Sequence, residues 1–324
     1  MRIIIYGAGG IGGVIGAQLF KAGHDVTLIA RGSHLDAIQK NGLRYETPHG
    51  AETLAIQAVG HPSEIDFRDG DIALLTMKAQ HTLDALDTLR DAAGDAIPVV
   101  CGQNGVANER LALRRFQHVY GMLLYLPSNF IEPGIIQTHS AKTIGILDTG
   151  VYPSGTDARV GALMAMLESA NFSARPVANI MRWKYGKLLI NLGNALNALC
   201  PRNDEADPVR ALLRAEGSAC FAAAGINYVE EDEIKERRGD LMKSGKIEGV
   251  GRQGDSSWQG LMRGNRDIEA DYLNGEIVML GRLHGIPTPA NALLQKLAIE
   301  MAREGTPPQS MSAVDLLKQI ESGS

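Results

Sequence analysis

The stretch RIIIYGAGGIGGVIGAQLFKAGHDVTLIAR, residues 2–31, constrains this chain more than any other. A short apolar β-rich run meets a cluster of glycines, a helical pattern follows, and a second β-rich run closes the unit. Gly7, Gly9 and Gly12 stand in a GxGxxG frame. Alone that frame is weak; the strand before it and the helix after it are the context it requires. Gly7 permits the tight turn, Gly9 lets the backbone approach a pyrophosphate, and Gly12 lets helix and strand pack closely. Gly16, one turn further on, continues that packing. The free N–H groups of the helix start then face a phosphate. The candidate cofactor contacts are thus Gly7, Ala8, Gly9, Gly10, Ile11 and Gly12, the alternative being a glycine-rich turn without a ligand. Ile3 to Phe20 carries no charge, but its six glycines suit a turn better than a signal or membrane segment.

The rhythm continues. DIALLTM (71–77) and IPVVCG (97–102) read as strands, each followed by a helical pattern, near 82–91 and 107–115. Alternating strands and helices predict a parallel sheet wrapped by helices. HVYGMLLYLP (118–127), GIIQTHS (134–140) and KTIGILD (142–148) read as further strands, added antiparallel. From about Ala178 the pattern turns helical, over 180–200, 208–224, 230–243, 256–263, 267–284 and 289–303, with a polar tail expected to fray after Gly305. The expected domains are 1–177 and 178–324. GKIEGVGRQGDSS (245–257) reads as a mobile loop.

Composition narrows the partners. A chain of 324 residues with 44% hydrophobic and 21% charged residues suits two soluble domains. A net charge of -5 without long runs of one sign argues against nucleic acid or an anionic membrane. Three dispersed cysteines imply a reducing compartment, and eight scattered histidines form no metal-ligand pattern. The chain is expected to be cytoplasmic and to bind no metal. Its oligomeric state stays open, a homodimer included.

A carboxylate usually ends the second strand of an NAD site, holding the ribose 2′-hydroxyl. Here Arg31 stands there, which favours a 2′-phosphate and NADP(H); a solvated arginine at a strand end is the alternative. Lys78 and Asn104 follow strands at the sheet edge where ligands bind, so each is a cofactor or substrate contact or an ordinary loop residue.

WKYGKLLINLGNAL (183–196) poses a different question. Asparagine is a poor helix former, yet Lys187 shares this apolar run with Asn191 and Asn194, and Asn197 follows. Residues four and seven apart share a helical face, so Lys187, Asn191 and Asn194 form one polar stripe opposite Leu188, Leu192, Leu196 and Leu199. A cation with neutral amides suits the wall of a wet cleft. Burial lowers a lysine's pKa and lets it transfer a proton near neutral pH; a solvated face is the plainer reading. Further on, Ser257 and Glu269 are too far around one straight helix to share a face. Gly264 can end one helix there, and Asn265 or Asp267 can cap the next, turning both side chains to one site. A structural acid is the alternative for Glu269.

Taken together, GAGGIGG, ARGSHLDAIQKNGL, TMKAQHT, QNGVANE, WKYGKLLIN and SSWQGLMRGNRDIEADYLNGEIVMLGRLHGIPTPAN resemble the 2-dehydropantoate 2-reductase, or ketopantoate reductase, family over nearly the whole chain. The resemblance implies an α/β Rossmann-type N-terminal domain with a parallel sheet, an all-α C-terminal domain and a cleft between them. It implies NADPH reducing ketopantoate to pantoate on the route to coenzyme A. It also implies Lys187 and Glu269 as catalytic residues, Asn191 and Ser257 toward the substrate, Asn104 beside the nicotinamide, and Arg31 and Lys78 toward the cofactor; Asn104 and, from the polar stripe, Asn194 are further candidate substrate contacts. Departures lie on the substrate side. Ala195 replaces the family's second asparagine, with Asn194 one residue early; Gly260 replaces an acid; CPRNDEADP (200–208) and IEADY are atypical. The alternatives are therefore a reductase of another 2-oxo acid or ketone, and a non-enzymatic NADPH sensor.

Overall fold

The computed structural model describes residues 1–247, 254 and 256–323. It divides into two units: Met1–Gln103 with Asn108–Trp183 and Glu231–Gly251, and Asn104–Ala107 with Lys184–Glu230 and Arg252–Ser324.

The first unit runs β1 (Arg2–Tyr6), α1 (Gly10–Lys21), β2 (Asp25–Ile29), α2 (Gly32–Asn41), β3 (Leu43–Thr47), β4 (Gly50–Leu54), β5 (Gln57–Val59), β6 (Asp71–Leu75), α3 (Thr82–Ala93), β7 (Val99–Cys101), α4 (Asn108–Leu113), β8 (Val119–Tyr125), β9 (Ser128–Glu132), β10 (Ile135–Thr138), β11 (Ile146–Val151) and α5 (Ala158–Ser169). Seven strands form one sheet in the order β11-β8-β7-β6-β1-β2-β5. Strand β1 lies parallel to both β2 and β6. A strand buried on both faces reads as a continuous apolar run, and β1 shows why. Ile3 and Ile5 join a core with Val14, Ile15 and Leu19 of α1, whereas Ile4 and Tyr6 join another with Ala85, Leu86 and Leu89 of α3.

The later strands correct the expected antiparallel additions. Strand β8 is parallel to β7, and only β11 runs antiparallel to β8. Strand β10 leaves that sheet altogether. It sits in a second sheet, β4-β3-β10-β9, parallel to β3 and antiparallel to β9.

The helical part begins with α6 (Ile180–Asn191), α7 (Gly193–Leu199) and α8 (Asp207–Ala223). The helix expected over 180–200 is thus two segments joined at Leu192, whose backbone stays helical (φ of -55°, ψ of -31°) and whose N–H donates to Leu188 O at 3.0 Å. A Cβ on Gly193 would lie 2.8 Å from Arg210 Nη1, and the Leu192 carbonyl accepts from Asn274 Nδ2 at 3.2 Å. Asn274 and Asn291 are fully buried and joined at 3.0 Å. Helix α9 (Glu231–Arg238) is followed by a 3-10 turn, Gly239–Met242, where one helix over 230–243 was expected. Both belong to the first unit. Arg237 forks onto Asp148 at 2.7 and 2.6 Å, a fully buried ion pair.

Helix α10 (Ser256–Met262) ends before Gly264, whose φ of 81° is the expected break. The helix expected over 267–284 is a 3-10 turn, Glu269–Tyr272, and then α11 (Asn274–His284). Ile268, without a side-chain hydrogen bond, occupies the cap position of that turn, where Asn265 or Asp267 was expected. Helix α12 (Pro289–Glu304) starts over Glu216, which accepts from Ala290 N and Asn291 N at 2.8 and 2.9 Å. A carboxylate there offsets the positive helix end. The tail does not fray. It forms α13 (Ala313–Ser322), burying Ala313, Leu316 and Ile320. No helix among the described residues is long and apolar enough to cross a membrane.

Candidate active-site residues

The glycine loop is held on three sides. Gly7 N and Ala8 N both donate to Ile29 O at 3.1 Å, at the end of β2. Thr76 Oγ1 donates to Gly7 O at 2.9 Å. Gly7 has φ of 104°, open to glycine and strained for other residues. Gly12 is crowded: a Cβ there would collide with Thr76 Oγ1 and Gly7 O and stand 2.8 Å from Ile5 Cγ2. Gly9 is the opposite, with nothing within 4 Å of an added Cβ. The chain's own packing therefore does not demand a glycine at position 9; a ligand lying on the backbone would. Helix α1 starts just beyond, with no side-chain cap and no acid in its first turn. Its positive end is left for an anion. This donor set fits a dinucleotide pyrophosphate.

Arg31 follows β2, exposed, at the N-cap of α2, and no carboxylate ends that strand. Lys78 follows β6 at the start of the 3-10 turn Ala79–His81 and is half-buried. Sequence reasoning passed over His34, which is 8% exposed and bonds Ala8 O at 2.7 Å. Its position on α2 resembles any amphipathic helix residue, so no local pattern marks it.

The second unit gathers residues from distant parts of the sequence. Residues 104–107 follow β7 in the chain yet cluster with the helices. Lys187 Nζ donates to Asn104 Oδ1 at 2.8 Å. A Cβ on Gly105 would lie 3.0 Å from Tyr272 O, so this loop also rests on the turn that begins with Glu269. Glu269 is 5% exposed and Ser257 3%. Asn191, one turn beyond Lys187, is 8% exposed, and its Nδ2 is buried without a hydrogen-bond partner. Buried polar groups are normally paired, so this donor awaits an acceptor. The arrangement offers one ammonium, a neutral amide that orients it, a buried donor and a buried acid.

Of the expected stripe, Lys187 and Asn191 lie on α6 and Asn194 on α7, joined through the helical Leu192. Asn194 lines a cavity of about 390 Å³ with Asn197, Arg202, Arg210 and Arg214, and none of Lys187, Asn191, Ser257 or Glu269 lines it. Of the loop expected at 245–257, residues 248–253 and 255 lie outside the described residues. Gly245 N donates to His139 O at 2.7 Å within the first unit.

A family model described as Ketopantoate reductase PanE/ApbA matches residues 3–150, and one described as its C terminal matches residues 179–302. A 2-dehydropantoate 2-reductase from Mesorhizobium japonicum is 32% identical, over 93% of this chain and 98% of its own. The crystal structure of a PanE/ApbA family ketopantoate reductase from Ralstonia eutropha JMP134 is similar with a TM-score of 0.79 and 28% identity, over 94% of this chain and 99% of that one. A ternary structure of D-mandelate dehydrogenase with NADH and anilino(oxo)acetate has a TM-score of 0.80 at 22% identity, covering 94% of this chain and 99% of that one. At that identity the likeness is one of fold alone.

Proposed function

This chain belongs to the ketopantoate reductase PanE/ApbA family and is an oxidoreductase of the 2-dehydropantoate 2-reductase kind, and from that premise we propose that it reduces ketopantoate to pantoate with NADPH, on the route to coenzyme A. The observation that carries the reading is the contact of Lys187 with Asn104, with the unpaired amide of Asn191 one helical turn away.

When bound, NADPH supplies a hydride for the 2-oxo carbon. Negative charge then grows on the substrate oxygen, and the Lys187 ammonium stabilises it and donates the proton. Asn104 holds the lysine by accepting one of its N–H bonds. Asn191 Nδ2 donates to a substrate oxygen. Ser257 hydrogen-bonds the substrate carboxylate, and Glu269 accepts from the ketopantoate hydroxyl or steadies Lys187. Neutral amides serve here because further charges would compete with a site already holding an ammonium, a carboxylate and an anionic substrate. On the cofactor side, the bare backbone at Gly9 and the uncapped start of α1 support pyrophosphate binding. Arg31, in place of an acid, supports NADPH over NADH, and Lys78 adds a second cation.

One observation favours a second reading, a reductase of a different 2-oxo acid. Ala195 occupies the place of the family's second asparagine, while Asn194 lines a separate cavity. NADPH oxidation against a panel of 2-oxo acids tests both. The first reading expects ketopantoate to have the highest kcat/KM. Turnover confined to another acid replaces it with the second, and NADPH binding without turnover of any acid would make the chain a sensor.

A further inference from the structure

His34 touches the glycine loop in a way that fixes its own protonation state. Its Nε2 lies 2.7 Å from Ala8 O, a group that can only accept. Its Nδ1 lies 2.9 Å from Gly134 N, a group that can only donate. The ring is therefore the neutral tautomer with its proton on Nε2, and both of its polar atoms are used. Phe130 packs edge-on against it, ring centroids 4.5 Å apart. One imidazole thus joins three segments: the glycine loop, the first turn of α2 three residues beyond Arg31, and the turn between β9 and β10.

The loop has little else to set this peptide. Ala8 N is bonded to Ile29 O and Gly9 N to Gly7 O, so the Ala8 carbonyl is the remaining handle on the peptide that carries Gly9 N–H. The next residue, Gly10, packs on β9: a Cβ there would lie 3.3 Å from the Asn129 carbonyl carbon. Burial lowers the His34 pKa, and no charged side chain contributes to the shift. The glycine loop bears no charge. Arg31 just before α2, Asp36 and Lys40 on it, and Glu132 on β9 are all exposed.

We propose that neutral His34 is the positioning residue of the cofactor loop, and that protonating this ring releases the Gly134 amide, loosens the loop and weakens dinucleotide binding. The proposal rests on the reading that the loop holds NADPH. Protonation at Nδ1 replaces an acceptor with a donor facing the Gly134 N–H, so the two cannot stay bonded. The sign follows from the lowered pKa. The folded protein resists protonation more than the unfolded chain does, so the contribution is present above the unfolded value and lost as pH falls through the folded one.

The test compares wild type with His34→Gln and His34→Ala, titrating NADPH by fluorescence between pH 7.5 and 4.5, a range that reaches well below the ordinary histidine value because burial lowers this one. Glutamine keeps one donor and one acceptor but cannot be protonated. Titration of the NADPH 2′-phosphate is common to all three proteins and cancels in their ratio. Wild type should lose about tenfold in affinity relative to His34→Gln across this range, the size of one lost hydrogen bond. His34→Ala should be weak at every pH. Parallel pH profiles for wild type and His34→Gln overturn the proposal. Hydrogen exchange at Gly134 and residues 7–10, measured without cofactor, reads the clamp independently. Faster exchange in wild type than in His34→Gln at pH 4.5 supports it, and equal exchange overturns it. If wild type binds no NADPH at any pH while the exchange difference is present, the cofactor reading has failed and the clamp has not.

Discussion

The glycine loop and the lysine cluster are built from different materials. The loop is backbone, and what matters is where side chains are missing. The proposed cluster is side chain: Lys187 meets Asn104, and Asn191, Ser257 and Glu269, its other proposed members, bring the total to four stretches of sequence. A backbone site is written in consecutive residues, so its spacing survives as a motif. A side-chain site exists only after folding, and each of its members has a plain alternative when met alone. The two should therefore fail differently when altered.

The largest difference should come from Lys187→Ala. Loss of a positioned acid should lower kcat by about 10²-fold or more, while NADPH binds with unchanged Kd, since the cofactor loop is untouched. Unchanged turnover would remove the lysine from the chemistry. Next comes a contrast within the loop. Gly12→Ala places a methyl group against Thr76 Oγ1 and Gly7 O and should destabilise the fold by about 1–3 kcal/mol, read by urea unfolding. Gly9→Ala puts its methyl in open space on backbone with φ of -71°, which alanine accepts. It should fold like wild type and bind NADPH more weakly. If Gly9→Ala loses as much stability as Gly12→Ala, the bare cradle is a packing feature and not a binding one.

The same contrast explains what the sequence disclosed. The β1–α1–β2 start, the parallel strands β6 and β7 and the helical second half rest on local periodicity, and the structure repeats them. Strands β3, β4 and β9 escaped notice because LRYET, GAETL and SNFIE are short and polar, and β10 pairs with β3 only after some ninety residues of intervening chain. Likewise the Asp148–Arg237 pair joins a strand to a helix far along the chain. Helix α13 was different. Ala313, Leu316 and Ile320 have helical spacing, and the polar residues between them hid a buried stripe that was present in the sequence. In the site, Lys187 with Asn104 needed the fold to become a contact, whereas Gly7, Gly9 and Gly12 needed only their spacing.

Arg31→Ala should produce a smaller change, confined to one cofactor. An exposed guanidinium on a phosphate should be worth about tenfold in NADPH affinity. NADH, lacking that phosphate, should lose less than about twofold by the same reasoning. Equal losses for the two would end the 2′-phosphate assignment and leave Arg31 as a solvated strand end.

The smallest effect, and the most telling, should come from Asn191→Leu. Its Nδ2 is buried without a partner, and leaving such a donor unsatisfied costs about 1–3 kcal/mol. Leucine has similar bulk and no polar atom, so the protein without ligand should be as stable as wild type, or more stable by up to about 1 kcal/mol. The KM for the 2-oxo acid should rise several-fold in the same variant, with NADPH Kd unchanged. Stability kept and substrate affinity lost is the signature of a group retained for a ligand at the fold's expense. A clear fall in thermal stability instead would mean that the amide holds the end of α6 together. The lysine cluster would then contain one structural member, and substrate recognition would shift to Ser257 and Glu269.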